Sequence, residues 1–81
     1  MEKSLATINP IFAEVLGISL EDVTDELSYV EYDPWDSVTH MKIVARLEEA
    51  FELEFEMREI VAMETVKKVK EIISGLMESN V

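Results

Sequence analysis

Apolar residues recur at spacings of three and four in the first part of the chain, which predicts an amphipathic helix that ends near Gly17. The apolar stripe consists of Leu5, Ile8, Ile11, Phe12, Val15 and Leu16. Pro10 interrupts the pattern, because an interior proline lacks an amide donor and clashes with the preceding turn. Two alternatives stay open: a kink at Pro10, or a later start with Asn9 as the cap and Pro10 as the first helical residue.

From Ile18 to Asp36 no helical period is sustained, and seven acidic residues occur without one Lys or Arg. This pattern predicts a long acidic loop. A loop of that length in a compact domain needs anchors in the core. The expected anchors are Leu20, Val23, Leu27 and Val30. A short helical turn over residues 19–22, capped by the Ser19 hydroxyl, is a further expectation.

A second periodic segment begins at Asp36 or Ser37 and predicts the second main helix. Its expected apolar stripe is Val38, Met41, Val44, Leu47 and Phe51, with Ile43 and Ala45 beside it. Residues 52–56 alternate acidic and apolar side chains, but no other segment offers a partner strand, so they predict an extended connector.

Two further helices are expected after the connector. A short one over about 57–61 would bury Ile60 and Val61, and a last one would begin at Thr65. Gly75 would lie inside this last helix and cause its end to fray. The last helix would bury Val66, Val69, Ile72, Ile73 and Leu76. The expected fold is therefore all-α: a single domain over residues 1–81, with three main helices, one short helix and a long loop between helices one and two.

The charge balance limits the classes of partner. Eighteen acidic residues stand against seven basic ones, for a net charge of −11, which argues against nucleic acids and anionic lipid surfaces and favours basic protein surfaces. The chain has no cysteine, and we see no leader-like or membrane-spanning apolar run. We expect a monomeric cytoplasmic protein that neither crosses nor leaves a membrane unaided.

The inventory of reactive side chains argues against an enzyme. His40 is the only histidine and the two glycines lie far apart, so we expect neither a metal cluster nor a phosphate-binding glycine loop. Ser37, His40 and an acid could in principle form a triad. However, Ser37 and His40 would share one helical turn, and a helix surface offers no enclosed oxyanion site. No catalytic residue is therefore predicted.

The remaining candidate is the junction from Asp33 to Val38. Asp36 is expected to cap the second helix, and Trp35 to staple onto His40 one turn later. On this segment alone, an ordinary helix start explains the residues as well as a functional site does.

The whole chain resembles the acyl carrier protein family from about residue 4 to residue 77. In that family an Asp-Ser-Leu motif opens helix two, and here Asp36-Ser37-Val38 stands in its place. The segments 46–51 (Arg-Leu-Glu-Glu-Ala-Phe), 14–18 (Glu-Val-Leu-Gly-Ile) and 64–66 (Glu-Thr-Val) are similar to three further landmarks of the family. Four landmarks in register are far more specific than one tripeptide.

This resemblance implies that a phosphopantetheinyl transferase attaches 4′-phosphopantetheine from coenzyme A to Ser37, with Asp36 and Val38 flanking the attachment site. Cargo would then be bound as a thioester to the thiol of this arm. The expected partners, besides the transferase, are loading enzymes and acyltransferase or synthase enzymes. Trp-Asp-Ser-Val-Thr-His at residues 35–40 looks more like discrete carriers of specialised pathways than like carriers of bulk fatty-acid synthesis. The cargo is expected to be an acyl unit. An aminoacyl, peptidyl or D-alanyl carrier, or an unmodified acidic adaptor, stays open as an alternative.

Five residues are candidates for partner recognition: Trp35, His40, Met41, Lys42 and Arg46. His40 is expected to face solvent. Fatty-acid carriers have an acidic helix two, whereas this helix contains the basic residues Lys42 and Arg46. Basic partner enzymes that recognise an acidic helix would be repelled by these positive charges. Met41, Met57 and Met63 either line a cavity for an acyl chain or belong to the core. The lysines at 67, 68 and 70 are read as a solvated helix face.

Overall fold

The computed structural model describes residues 5–29, 31–32 and 34–79. Within these ranges the chain forms four α-helices: α1 (Ile8–Leu16), α2 (Ser37–Phe51), α3 (Met57–Ala62) and α4 (Val66–Ser79). Short 3₁₀ turns occupy Leu5–Thr7 and Leu20–Asp22. The all-α expectation of three main helices and one short helix is confirmed. The expected anchor Val30 and the junction residue Asp33 lie outside the described residues.

Helix α1 follows directly on the 3₁₀ turn and places Pro10 third in the helix. In the first turn a backbone amide needs no intrahelical acceptor, so proline is tolerated there. Asn9 is not the cap; its side-chain amide donates to the Val23 carbonyl across 3.4 Å. The helix ends at Gly17, whose φ of 71° is a left-handed conformation that glycine adopts without steric cost.

The core lies where α1, α2 and α4 meet the long loop. The side chains without solvent exposure are Ile8, Phe12, Trp35, Ile43, Leu47, Met63, Val66, Val69 and Ile73. Burial of apolar surface on this scale is the main favourable contribution to folding. Ile72 and Leu76 of α4 are only half-buried.

The apolar stripe predicted for α2 is wrong at its N-terminal end. Val38 and Met41 are 65% and 51% exposed, and Ala45 is exposed as well. The buried face is instead His40, Ile43, Val44, Leu47 and Phe51. These positions also follow a spacing of three and four, but the stripe starts from a histidine, which a hydrophobic pattern counts as polar.

Two further expectations about buried side chains, and one about a helix cap, fail. In α3, Ile60 is half-buried and Val61 is 69% exposed. Of the loop anchors, Val23 is buried and Leu27 half-buried, whereas Leu20 is 54% exposed. The helical turn at residues 20–22 exists, but the Ser19 side chain makes no capping hydrogen bond.

The long loop is tied to the start of α4 by backbone hydrogen bonds. The Tyr29 amide donates to the Glu64 carbonyl (2.9 Å), and the Val66 amide donates to the Leu27 carbonyl (3.1 Å). The Lys70 ammonium also pairs with the Asp25 carboxylate at 2.7 Å. Lys70 therefore joins α4 to the loop, and the solvated-face expectation is wrong for it. These ties hold the loop that leads to Ser37.

Helix α4 begins within one residue of the expected position. The Thr65 hydroxyl accepts a hydrogen bond from the Lys68 amide at 3.0 Å, the geometry of an N-cap. Gly75 lies inside the helix, as expected, and α4 continues through it to Ser79. One glycine weakens a helix without terminating it.

Candidate functional site

Ser37 is the first residue of α2, directly after a capping aspartate. Asp36 has extended backbone (φ −95°, ψ −176°), and its carboxylate accepts the Thr39 amide at 2.8 Å. This hydrogen bond holds the pKa of the Asp36 carboxyl below its ordinary value. The cap predicted from the sequence is confirmed, and it fixes where the loop ends and the helix begins.

The Ser37 hydroxyl is accessible. Ser37 is exposed, and among the described residues no hydrogen bond to its side chain is present. It lies in the first turn of α2, where backbone amides lack intrahelical acceptors and the helix dipole has its positive end. A phosphodiester on this oxygen would gain from that field. The position therefore fits a covalently attached anionic group.

Trp35 and His40 are buried beneath this junction. Trp35 has no solvent exposure and packs edge-on against Phe12, with ring centroids 4.9 Å apart. Its indole Nε1 donates to His40 Nδ1 at 2.9 Å. The predicted staple is thus a hydrogen bond between the two side chains.

His40 is only 6% exposed, so the expectation that it faces solvent is wrong. Its Nε2 lies 2.9 Å from the Ile60 carbonyl of α3, and the Tyr29 ring stacks on it at 4.8 Å. Burial of an imidazole is tolerable because both nitrogens have partners. Trp35 and His40 offer little or no side-chain surface to a partner, so a direct recognition role for them is not carried further.

Exposed apolar side chains on α2 and α3 are a feature that the sequence pattern did not reveal. Val38 and Met41 lie one turn apart on α2, and Met57 and Val61 lie one turn apart on α3; all four are more than half exposed. Exposed apolar residues of this size are typical of contact surfaces when they occur together. A clue was available in the sequence: a second three-and-four spacing that starts at His40.

The two cations on α2 have different surroundings. The Arg46 guanidinium pairs with the Glu14 carboxylate of α1. Lys42 is exposed and lines, with Arg46, an open groove of about 420 Å³ between α1 and α2. Lys42 is therefore better placed than Arg46 to pair with a negatively charged side chain of a partner.

The three methionines do not line one cavity. Met63 is fully buried in the core, as the core alternative expects, whereas Met41 and Met57 are on the surface. A second groove, of about 490 Å³, lies between α3 and α4 and is lined in part by Ala62, Ile72, Gly75 and Leu76. Neither of these two grooves contains a methionine.

Within residues 5–29, 31–32 and 34–79, no group of three or more His, Asp or Glu side chains is arranged to hold a metal ion. In the same part of the chain no helix has the length and apolar character needed to span a bilayer.

The family comparison agrees with this geometry. Residues 6–73 match the family model described as "Phosphopantetheine attachment site". The match covers α1, the long loop, α2, α3 and the first half of α4. Such domains bear a covalently attached 4′-phosphopantetheine. The chain therefore belongs to the family of phosphopantetheine-bearing carrier proteins.

Proposed function

We propose that Ser37 is the attachment site of the 4′-phosphopantetheine, and that the protein carries acyl intermediates as thioesters for a specialised biosynthetic pathway. The observation that carries the proposal is the exposed Ser37 side chain at the first position of α2, directly after the Asp36 cap. In this proposal the chain is a carrier, and partner enzymes catalyse the steps.

Attachment needs only an oxygen from this chain. In a reaction catalysed by a transferase, Ser37 Oγ forms a bond to the phosphorus of the phosphopantetheine half of coenzyme A. The bond from that phosphorus to the nucleotide half breaks, the nucleotide leaves, and the transferase takes the hydroxyl proton. The attached group supplies the thiol on which cargo is held, and the chain has no cysteine to supply one.

Recognition by partner enzymes is proposed to use the exposed face of α2 next to Ser37. Val38 and Met41 offer apolar surface, and Lys42 offers a positive charge. The buried centre of an interface commonly contains apolar anchors, with charged residues at its rim. Arg46 contributes less to this surface, since its charge is already paired with Glu14.

The first experiment tests attachment. The purified protein is incubated with coenzyme A, magnesium and a broad-specificity phosphopantetheinyl transferase, and its intact mass is measured. We expect a gain of one phosphopantetheine per chain. No gain with several such transferases would contradict the carrier function.

A second measurement distinguishes the kinds of cargo. The protein is isolated from its native cells, and the arm with its cargo is released and identified by tandem mass spectrometry. An acyl group without an amine supports the proposal. An aminoacyl or D-alanyl group would overturn the acyl assignment while leaving the carrier function intact.

A further inference from the structure

His40 connects three segments of the chain. It belongs to α2, accepts a hydrogen bond from Trp35 in the loop before Ser37, and contacts the Ile60 carbonyl of α3. The indole N–H can only donate, so His40 Nδ1 must be the acceptor and therefore carries no proton. In the neutral imidazole the proton is then on Nε2, which donates to the Ile60 carbonyl.

Helix α3 depends on such contacts. It has six residues, too few for a helix that is stable alone in water, and none of its side chains is fully buried. A capping box between Glu56 and Glu59 satisfies amides at its N-terminus. Near its C-terminus, where the last carbonyls lack full intrahelical partners, the Ile60 carbonyl accepts the His40 N–H at 2.9 Å and the Met63 amide at 3.3 Å.

We propose that His40 is a positioning residue that keeps α3 folded against α2, and thereby fixes the exposed Met57 and Val61 as the α3 part of the surface that partner enzymes meet. The second half of this statement rests on the proposed function. The first half does not, since it concerns only the folding of α3. His40 is thus a C-terminal cap supplied by another helix.

Amide hydrogen exchange tests the proposal. His40→Phe keeps a ring of similar size and removes both nitrogens, and Val69→Ala, a fully buried site in α4, is the matched control for general destabilisation. In His40→Phe we expect the amides of α3 to exchange about tenfold faster relative to those of α1, the effect of one lost hydrogen bond. In Val69→Ala no such selective change is expected. Equal protection of α3 in His40→Phe and the wild type would overturn the proposal.

A functional readout accompanies the exchange data. For transfer of phosphopantetheine by the transferase, Val61→Ser, which removes an exposed apolar side chain from α3, should raise KM for the carrier about threefold and leave kcat nearly unchanged. Leu20→Ser, which removes an exposed apolar side chain outside α2 and α3, should leave KM unchanged. An unchanged KM in Val61→Ser would contradict the recognition half of the proposal.

The wild-type protein provides an independent test if His40→Phe does not fold. Nitrogen chemical shifts of the ring should show a proton on Nε2 and none on Nδ1, the tautomer in which Nε2 donates to the Ile60 carbonyl. The opposite tautomer, with the proton on Nδ1, would overturn the proposal. These readouts remain valid even if Ser37 is never modified, so failure of the proposed function would be recognised separately.

Discussion

At the scale of single residues, the start of α2 depends on one carboxylate. The sequence predicts Asp36 as the cap from its position before a periodic segment, and the hydrogen bond from the Thr39 amide confirms this. The burial of Trp35 and His40 has a different cause. A sequence pattern counts histidine as polar, whereas a buried imidazole with two hydrogen bonds behaves as part of the core.

The capping role of Asp36 predicts a pH-dependent effect of Asp36→Ala. The pKa of this carboxyl is lower in the folded protein than in the unfolded chain, so its stabilising contribution is complete above about pH 4 and is lost as the pH falls through the lower, folded-state pKa. Asp36→Ala should therefore lower Tm at pH 7. The difference from wild type should shrink in strong acid.

Thermal unfolding followed by circular dichroism measures this difference. Asp36→Asn is the matched control, since asparagine also caps helices but carries no charge. Asp36→Asn should retain most of the wild-type Tm at pH 7. The difference in Tm between Asp36→Asn and Asp36→Ala should not change with pH, because neither variant has a carboxyl at residue 36. A Tm difference between Asp36→Ala and wild type that does not change with pH would contradict the account of the cap.

At the scale of elements, the existence and order of the helices could be predicted from hydrophobic spacing, but the orientation of α2 could not. A stripe through Val38 and Met41 and a stripe through His40 and Ile43 both fit a helical period. The choice between them is made by tertiary contacts: the Trp35 indole and the Ile60 carbonyl provide partners for His40. Exposure of Met41 follows from that choice.

Replacing each of the two glycines by alanine should change the free energy of unfolding in opposite directions. Gly75 lies inside α4 and a methyl group there would meet open space, whereas Gly17 has a left-handed backbone at the end of α1. Gly75→Ala should stabilise the protein by about 0.5–1 kcal/mol, and Gly17→Ala should destabilise it by about 1 kcal/mol. Urea unfolding measures both changes. Destabilisation by Gly75→Ala would contradict the finding that α4 is continuous through this residue.

At the scale of the whole molecule, the chain has a net charge of −11, yet α2, which begins with the proposed attachment site, has an exposed lysine, Lys42. The exposure of Lys42 agrees with the sequence, which made it a candidate for partner recognition, whereas the hydrophobic pattern placed Met41 in the buried stripe and did not reveal its exposure. The pairing of Arg46 could not be predicted, because Glu14 lies far away in the chain and meets it only after α1 packs on α2. The same holds for the link between Lys70 and Asp25.

Charge reversal of Lys42 tests whether this cation contributes to recognition. Lys42→Glu should weaken binding of the loading enzyme from the protein's own pathway by up to about fivefold, the range of an exposed ion pair, and the effect should diminish with added salt. Lys67→Glu, an exposed site on α4, makes the same change of net charge and should leave the affinity nearly unchanged. Equal effects of the two variants would remove Lys42 from the recognition surface.

The central claim, that Ser37 carries the arm, is tested most directly by locating the modification after loading. Cleavage after glutamate releases residues 32–48, a peptide whose only serine is Ser37. Tandem mass spectrometry of the digest should place one phosphopantetheine on Ser37 in this peptide, and Ser37→Ala should acquire none. Modification of a different peptide, or an equal gain by Ser37→Ala, would contradict the account.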